Sequence, residues 1–311
     1  MRKHPPSQVK KKTGMVKQIM KHHFGSMPTK IHFMPAGHTN YVFEATHKNV
    51  EYIVRIAAIG GKLNDFIKEQ WAVEHAREKG VPVAEILEVG NEVIDLPYML
   101  QRKLKGQEAV DHPDRLQILC ELGKYASIIN SIPTSNYGNA FDWSRNRLSK
   151  SETWKEYLIN ELRYKERIAI LEKYKMLDPK DLKKLNSIMS KFEKLKNPPS
   201  LNHGDIRLKN AIVDDKGKIL AIIDWENCTS NMAPYWDLSI ALHDLSIDGK
   251  QQFLEGYGVK PKEFMEMTPY IKAINTLNYT DTIERMIKRK DTARLEFYRL
   301  RLKGHLDLFV V

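Results

Sequence analysis

The chain of 311 residues contains only two cysteines, Cys120 and Cys228, and neither belongs to a C-x-x-C pattern. Two thiols far apart in apolar stretches exclude a disulfide-stabilised scaffold and a cysteine metal site, and predict buried thiols in a reducing compartment. No apolar run approaches the roughly 18 residues that a membrane span needs, and the N-terminus lacks the apolar core of a secretory signal. We therefore expect a cytoplasmic protein with no membrane partner.

The sequence also lacks a basic stripe interleaved with aromatic residues, which is the pattern typical of nucleic-acid binders. Its net charge is +11, and part of that excess lies in a cluster of lysine and arginine within residues 1–13. We interpret residues 1–14 as a mobile basic tail. The other basic residues are scattered among acidic ones on predicted helices, so no nucleic-acid partner is expected.

Three polar residues at fixed spacing form the most informative pattern. Asp205 follows a His-Gly pair, Asn210 lies five residues later, and Asp224 ends an apolar strand. The Asp-Asp-Lys-Gly turn in between predicts a tight hairpin, which would bring Asn210 and Asp224 side by side at its open end. An Asp before a strand is often only a capping or turn residue. The complete series instead indicates phosphoryl transfer, which needs one carboxylate for the attacking hydroxyl, and an amide oxygen and a second carboxylate for Mg²⁺.

Two further features lie in the first third of the chain. Arg55 is inside the apolar strand 52–56. An unpaired buried charge is costly, so Arg55 requires an anion on the helix that begins near residues 64–65. Glu69 and Glu74 are the candidates, and a surface ion pair is the alternative. Upstream, a glycine within residues 36–40 predicts a turn between strands, whose N–H groups either face nucleotide phosphates or simply close a hairpin.

These segments together resemble the aminoglycoside phosphotransferase family, which includes choline-kinase-like and hygromycin-kinase-like branches. The resemblance extends over about residues 31–245 and is strongest at 201–244. It implies an α+β, bilobal, protein-kinase-like fold, with a small antiparallel β-sheet lobe at residues 15–104 and a larger, mainly α-helical lobe at 105–311. Kinases usually carry Lys where this chain has Arg55, and that departure, with segment 137–158, is similar to the hygromycin-kinase-like branch.

The resemblance also implies roles for individual residues. Asp205 would orient and deprotonate the acceptor hydroxyl, while Arg207 would either neutralise charge on the transferred phosphoryl group or face solvent. Asn210 and Asp224 would hold Mg²⁺. Three elements would bind the nucleotide. They are the turn of Gly37, His38, Thr39 and Asn40, the ion pair of Arg55 and Glu69, and the main chain of the hinge at Arg102 and Leu104.

We therefore predict a small-molecule kinase that uses ATP or GTP and phosphorylates a hydroxyl of an aminoglycoside-like compound or of another small amino alcohol or sugar. A nucleotide-binding pseudokinase or regulatory scaffold without turnover is the alternative, although no catalytic group is missing. A protein kinase agrees less well, because D-F-G and A-P-E motifs are absent. The acceptor, the choice between ATP and GTP, the oligomeric state and a role in resistance or metabolism stay open.

Overall fold

The computed structural model describes residues 5–35, 40–142 and 144–307, and the chain divides into two compact units. Unit 1 consists of Met1–Ile118 and Leu208–Cys228, and unit 2 consists of Leu119–Arg207 and Thr229–Val311. This division differs from the predicted boundary between residues 104 and 105. The second hairpin, which the sequence placed in the C-terminal lobe, groups with unit 1.

The strands in chain order are β1 (Lys30–Met34), β2 (Asn40–His47), β3 (Val50–Ala57), β4 (Ile86–Gly90), β5 (Tyr98–Arg102), β6 (Gln107–Glu108), β7 (Pro199–Asn202), β8 (Ala211–Val213), β9 (Ile219–Ile222) and β10 (Thr229–Met232). The helices are α1 (Pro6–Phe24), α2 (Leu63–Glu78), α3 (Arg115–Asn130), α4 (Trp154–Glu156), α5 (Tyr164–Lys173), α6 (Pro179–Phe192), α7 (Tyr235–Ala241), α8 (Ile247–Tyr257), α9 (Pro261–Asn278), α10 (Thr280–Lys288) and α11 (Thr292–Asp307).

Unit 1 is built around a five-stranded antiparallel sheet in the order β1-β2-β3-β5-β4. Alternate residues of β2 and β3 are buried, as expected for strands whose side chains point to opposite faces. Phe43, Val54 and Ile56 contribute to the core from this sheet. A second, three-stranded sheet in the order β6-β8-β9 carries the hairpin between Asn210 and Asp224.

Helix α1 corrects the prediction of a mobile tail, which was wrong for residues 6–14. These residues form the first half of α1. Val16, Ile19 and Met20, in the second half, are completely buried in the same core as the sheet residues. Their spacing places them on one face of the helix. Burial of this apolar face anchors α1, although its lysines alone would predict a solvated segment.

Unit 2 is mainly helical, with β7 and β10 paired in a two-stranded antiparallel sheet. The segment 153–174 is interrupted: α4 is followed by a π-helical turn at Tyr157–Glu161, and Arg163 adopts a left-handed φ of 52° before α5 begins. Gly123 of α3 and Gly256 of α8 allow a close crossing, because a Cβ on Gly256 would lie 1.8 Å from the carbonyl oxygen of Cys120.

The predicted α+β class is confirmed, with a small antiparallel sheet in unit 1 and a mostly helical unit 2. Among the helices described here, none combines the length and the apolar character that crossing a lipid bilayer requires.

Candidate active site

The loop 203–205 in unit 2 is held by the buried carboxylate of Asp237. Its Oδ2 accepts a hydrogen bond from the main-chain N–H of His203 at 2.9 Å, and its Oδ1 accepts one from Gly204 at 2.8 Å. The N–H of Asp205 donates to Nδ1 of His203 at 3.2 Å. Gly204 has a φ of 79°, a left-handed conformation that favours glycine. The main chain that carries Asp205 is therefore fixed on both sides of the glycine.

Asp237 itself belongs to a buried network. Asn130 donates from Nδ2 to Oδ2 of Asp237 at 2.9 Å and to the carbonyl oxygen of Leu201 at 3.0 Å, while the hydroxyl of Tyr257 donates to Oδ1 of Asn130 at 2.9 Å. Burial raises the pKa of Asp237 above its ordinary value, although the hydrogen bonds from Gly204, His203 and Asn130 oppose that rise. The three donors favour the ionised form, which can accept all of them at once.

Asp205 is buried and forms an ion pair with Arg207, whose side chain is 39% exposed. The pair joins Oδ1 of Asp205 to Nη2 of Arg207. A guanidinium beside a carboxylate favours its ionised form, and only that form can accept a proton. The two residues proposed for catalysis are therefore in direct contact within unit 2.

In unit 1 the hairpin brings Asn210 and Asp224 together, as its turn predicts. Ala211 pairs with Ile222, and the N–H of Ile223 donates to the carbonyl oxygen of Asn210 at 2.9 Å. Asp224 has a φ of 66°. Such left-handed conformations are uncommon for residues other than glycine, and those that occur cluster at functional sites. The two residues supply an amide oxygen and a carboxylate, the hard oxygen ligands that Mg²⁺ prefers.

Arg55 on β3 has the carboxylate partner that its burial requires, and Glu69 on α2 is that partner. Nη1 of Arg55 lies 2.5 Å from Oε2 of Glu69, and Nη2 lies 3.2 Å from Oε1. Burial alone would lower the pKa of Arg55, but the neighbouring carboxylates outweigh it and raise that pKa above its ordinary value. Burial raises the pKa of Glu69, and Arg55 opposes that rise.

Sequence reasoning missed Glu226, which lies two residues after Asp224. Its Oε2 is 3.6 Å from Nη2 of Arg55, so the guanidinium is shared by two carboxylates. Its carbonyl oxygen accepts a hydrogen bond from Nζ of the buried Lys68 at 2.9 Å. The sequence does contain a signal for Glu226. It lies two residues after Asp224, at the end of the same strand, where its carboxylate can reach a cation on a neighbouring strand or helix.

Arg55, Glu69, Asn210, Asp224 and Glu226 all line one cavity of about 620 Å³ in unit 1. Apolar side chains such as Ile53, Val73 and Ile86 line part of it. Seven of the predicted nucleotide and metal residues line it as well, namely Asn40, Arg55, Glu69, Arg102, Leu104, Asn210 and Asp224. The other three, Gly37, His38 and Thr39, lie outside the described residues.

Asn210 and Asp224 are the candidate metal ligands of this cavity. Among the described residues no group of three or more histidine, cysteine or carboxylate side chains forms a dedicated metal cage. Asn210 and Asp224 would therefore supply two ligands and leave several positions to phosphate and water. That division suits Mg²⁺, which takes few protein ligands in nucleotide sites.

The model of the phosphotransferase enzyme family, APH, matches residues 30–267. The chain belongs to this family. It is a phosphotransferase with an alcohol group as acceptor. A comparison with curated proteins gave no match.

Solved structures of similar fold cover 94–96% of this chain. Aminoglycoside phosphotransferase APH(4)-Ia is 17% identical with a TM-score of 0.70, covering 96% of this chain and 100% of its own. The GDP and kanamycin complex of APH(2")-IIia is 12% identical with a TM-score of 0.62, covering 96% and 99%. Macrolide 2'-phosphotransferase MphH from Brachybacterium faecium is 12% identical with a TM-score of 0.62, covering 94% and 98%. At these identities the similarity confirms the predicted kinase-like fold.

Proposed function

We propose that this phosphotransferase moves the γ-phosphoryl group of ATP or GTP, with Mg²⁺, to a hydroxyl of an aminoglycoside-like compound or another small amino alcohol or sugar. The observation that carries the proposal is a cavity of unit 1 that is lined both by the Arg55–Glu69 pair and by Asn210 and Asp224. A thermostable mutant of APH(4)-Ia, 17% identical with a TM-score of 0.68, was solved with ADP and hygromycin B. Relatives thus bind a nucleotide and an acceptor together.

The nucleotide would lie in this cavity with its base among the apolar side chains. Main-chain groups of Arg102 and Leu104 would bind the base edge, since both residues line the cavity. Arg55, fixed by Glu69 and Glu226, would contact the phosphates. Asn210 and Asp224 would hold Mg²⁺, and the ion would supply positive charge for the phosphates of the nucleotide.

Asp205 would then act on the acceptor. Its carboxylate accepts the proton of the hydroxyl as that oxygen bonds to the γ-phosphorus, and the bond from phosphorus to the bridging β–γ oxygen breaks. The products are the phosphorylated acceptor and the nucleoside diphosphate. Arg207 would stabilise charge on the phosphoryl group during transfer. Asp237 would act indirectly, because it fixes the loop that carries Asp205.

The branch of the family is also part of this proposal. Arg55 in place of lysine and the segment 137–158 favour the hygromycin-kinase-like branch, and APH(4)-Ia is among the structures similar to this chain. Hygromycin B is therefore the first acceptor to try, followed by kanamycin, a macrolide, choline and simple sugars.

The test compares the wild-type protein with Asp205→Asn in an assay of nucleotide consumption with this acceptor panel. We expect acceptor-dependent consumption in the wild type and its loss in the variant by at least about 1,000-fold, because the base is removed. ATP binding, measured by calorimetry, should stay within about 3-fold, a difference below 1 kcal/mol. Asp215→Asn, in the exposed hairpin turn, is the matched control and should keep full activity.

Two results would contradict the proposal. Near-normal turnover by Asp205→Asn would remove Asp205 from the mechanism. Intact ATP binding by the wild type without transfer to any acceptor would favour the pseudokinase or scaffold alternative.

A further inference from the structure

Helix α2 of unit 1 contains a buried lysine, Lys68, with only 5% of its surface exposed. Its Nζ donates a hydrogen bond to the main-chain carbonyl oxygen of Glu226 at 2.9 Å, across 158 positions of the sequence. Among the residues that the structure describes, no carboxylate forms an ion pair with Lys68. Burial of an ammonium group is costly unless the group is bonded. The bond to Glu226 therefore offsets part of the cost of burying this lysine.

The acceptor of this bond lies two residues after Asp224, the candidate metal ligand. Asp224 has a left-handed φ of 66° and leads into a short 3₁₀ turn at Trp225–Asn227, which contains Glu226. A residue other than glycine stays in that conformation only where the surrounding contacts fix it. Lys68 supplies such a contact, because it attaches the turn that follows Asp224 to helix α2.

A second contact joins the same segment to Lys68. Cys228 is completely buried, and its Sγ lies 3.9 Å from the main-chain carbonyl oxygen of Lys68, within the range of a weak S–H hydrogen bond. The N–H of Cys228 donates to the carbonyl oxygen of Trp225 at 2.9 Å and closes the 3₁₀ turn. Lys68 therefore contacts this turn with its side chain and the residue that ends the turn with its main chain.

The next residue of α2, Glu69, reaches the same segment by another route. Glu69 binds the guanidinium of Arg55, and Nη2 of Arg55 lies 3.6 Å from Oε2 of Glu226. Glu226 is thus held at its main chain by Lys68 and at its side chain by Arg55. Two consecutive residues of α2 therefore contact the cation proposed for the phosphates and the segment proposed for the metal.

The position of Lys68 distinguishes it from the residues that would touch the ligands. Glu69, Asp224 and Glu226 line the cavity of unit 1, whereas Lys68 is not among the described residues that line it. Lys68 would therefore act through Glu226 and not on the nucleotide. The alternative is that its bond only stabilises the fold of unit 1. The two roles differ in what is lost with the bond, which is affinity for the metal in one case and stability alone in the other.

We propose that Lys68 is a positioning residue for the metal: its bond to the carbonyl oxygen of Glu226 holds the turn after Asp224 on helix α2, and so fixes the carboxylate of Asp224 for Mg²⁺. This inference rests on the proposed function, because it takes Asn210 and Asp224 as the metal ligands. Groups that orient metal ligands without touching the ion affect metal affinity strongly. Loss of the bond should therefore weaken the contribution of Mg²⁺ to nucleotide binding and spare binding without metal.

The experiment measures the affinity of the full chain for AMP-PNP by calorimetry, with excess Mg²⁺ and with EDTA. The ratio of the two dissociation constants, which we call the metal ratio, gives the contribution of the ion. The test variant is Lys68→Met, which has no donor, and Lys68→Arg restores a cationic donor. Lys12→Met is the matched control, because Lys12 is also 5% exposed in unit 1 but does not line the cavity. Asp224→Asn removes the proposed ligand itself.

We expect Mg²⁺ to improve the affinity of the wild type by at least about 10-fold, and Asp224→Asn to abolish this gain. In Lys68→Met the metal ratio should fall by about 5- to 10-fold, while affinity in EDTA stays within about 2-fold. Lys68→Arg should recover part of the ratio, and Lys12→Met should keep all of it. Circular dichroism and the melting temperature confirm that each variant is folded. Should Lys68→Met not fold, Lys68→Gln, which is polar but shorter than lysine, is measured in its place with the same expectation.

Three results would overturn the proposal, and they are distinguishable. An unchanged metal ratio in Lys68→Met beside a lost one in Asp224→Asn would remove Lys68 alone and leave the proposed function standing. An equal fall in Lys12→Met would assign the effect to the loss of any buried lysine. A metal ratio that Asp224→Asn leaves intact, or that the wild type lacks, would refute the metal site of the proposed function and this inference with it.

Discussion

The guanidinium of Arg55 donates two hydrogen bonds to the carboxylate of Glu69, one from each terminal nitrogen. Arg55 belongs to strand β3 and Glu69 to helix α2, so the pair fixes the helix against the sheet within unit 1. Because Nη2 also lies 3.6 Å from Glu226, the same cation contacts the segment that follows Asp224. An ammonium group cannot reproduce this planar arrangement.

Arg55→Lys should therefore raise the KM for ATP about 10-fold while changing kcat less. The charge is retained, but the two-point contact with Glu69 that fixes the cation is lost. A tenfold change corresponds to about 1.4 kcal/mol. Steady-state kinetics at varied ATP provide the measurement. Arg294→Lys, at an exposed position of α11, is the matched control and should leave KM unchanged. An unchanged KM in Arg55→Lys would mean that Arg55 does not contact the nucleotide.

Glu226 gives a second prediction for the same cavity. Glu226→Gln removes one of the two carboxylates beside Arg55 but keeps the main-chain bond to Lys68. We expect the KM for ATP to rise about 3-fold and stability to change by less than about 1 kcal/mol, because the Glu226 side chain is partly exposed. Glu78→Gln, exposed on α2, controls for loss of charge. A large loss of stability would instead assign Glu226 to folding alone.

Asp237 is predicted to be essential for the fold of unit 2. Asp237→Ala would leave the N–H groups of His203 and Gly204 and the amide of Asn130 without their buried acceptor. Removing the shared partner of several buried donors should cost about 3–5 kcal/mol in urea unfolding. Asp237→Asn keeps one acceptor oxygen and should cost less. Equal stability of Asp237→Ala and the wild type would contradict the network.

The pH dependence of stability should contain a contribution from His243. Burial lowers its pKa, and the charges of Arg301, Lys250 and Arg207 add to that effect against Asp244. In the unfolded state a histidine has a pKa of about 6.5, so the unfolded chain binds the proton first as pH falls. The stability from neutral His243 is therefore present above that pH and is lost as pH falls through the folded pKa.

The measurement is the melting temperature at pH 7.5 and pH 5.5. The wild type should lose more melting temperature over this interval than His243→Gln, which cannot titrate. Parallel losses in the two proteins would show that other groups cause the pH dependence.

Two glycines provide a matched pair for packing. Gly256→Ala should destabilise unit 2 by about 2–4 kcal/mol. The added Cβ would overlap the carbonyl oxygen of Cys120, so the backbone would have to move, and overpacking of this kind has a free-energy cost of this order. Gly14→Ala, in α1 with no atom within 4 Å of the added Cβ, should stabilise the chain by up to about 1 kcal/mol. Chemical unfolding of both variants measures the difference. Equal effects would remove the close crossing of α3 and α8 as the cause.

The contacts that the sequence predicted correctly depend on local spacing. The turn between Asn210 and Asp224 determines which residues meet, and a charge inside an apolar strand requires a partner, so Glu69 was found. The helix at residues 6–14 is not evident from their lysines, because the buried apolar residues that anchor it, Val16, Ile19 and Met20, lie in the second half of α1. The left-handed conformation of Arg163 could not be predicted, because an arginine carries no preference for a positive φ.

The chain passes from one unit to the other at residues 118, 207 and 228. Unit 1 is therefore discontinuous, and its Asn210–Asp224 hairpin is synthesised after all of the first 207 residues. During synthesis on a ribosome the sheet with Arg55 and Glu69 emerges early, as N-terminal segments do. The same cavity receives Asn210 and Asp224 only after the helices α3 to α6 have followed. A nascent chain thus has the Arg55–Glu69 pair long before it has Asn210 and Asp224.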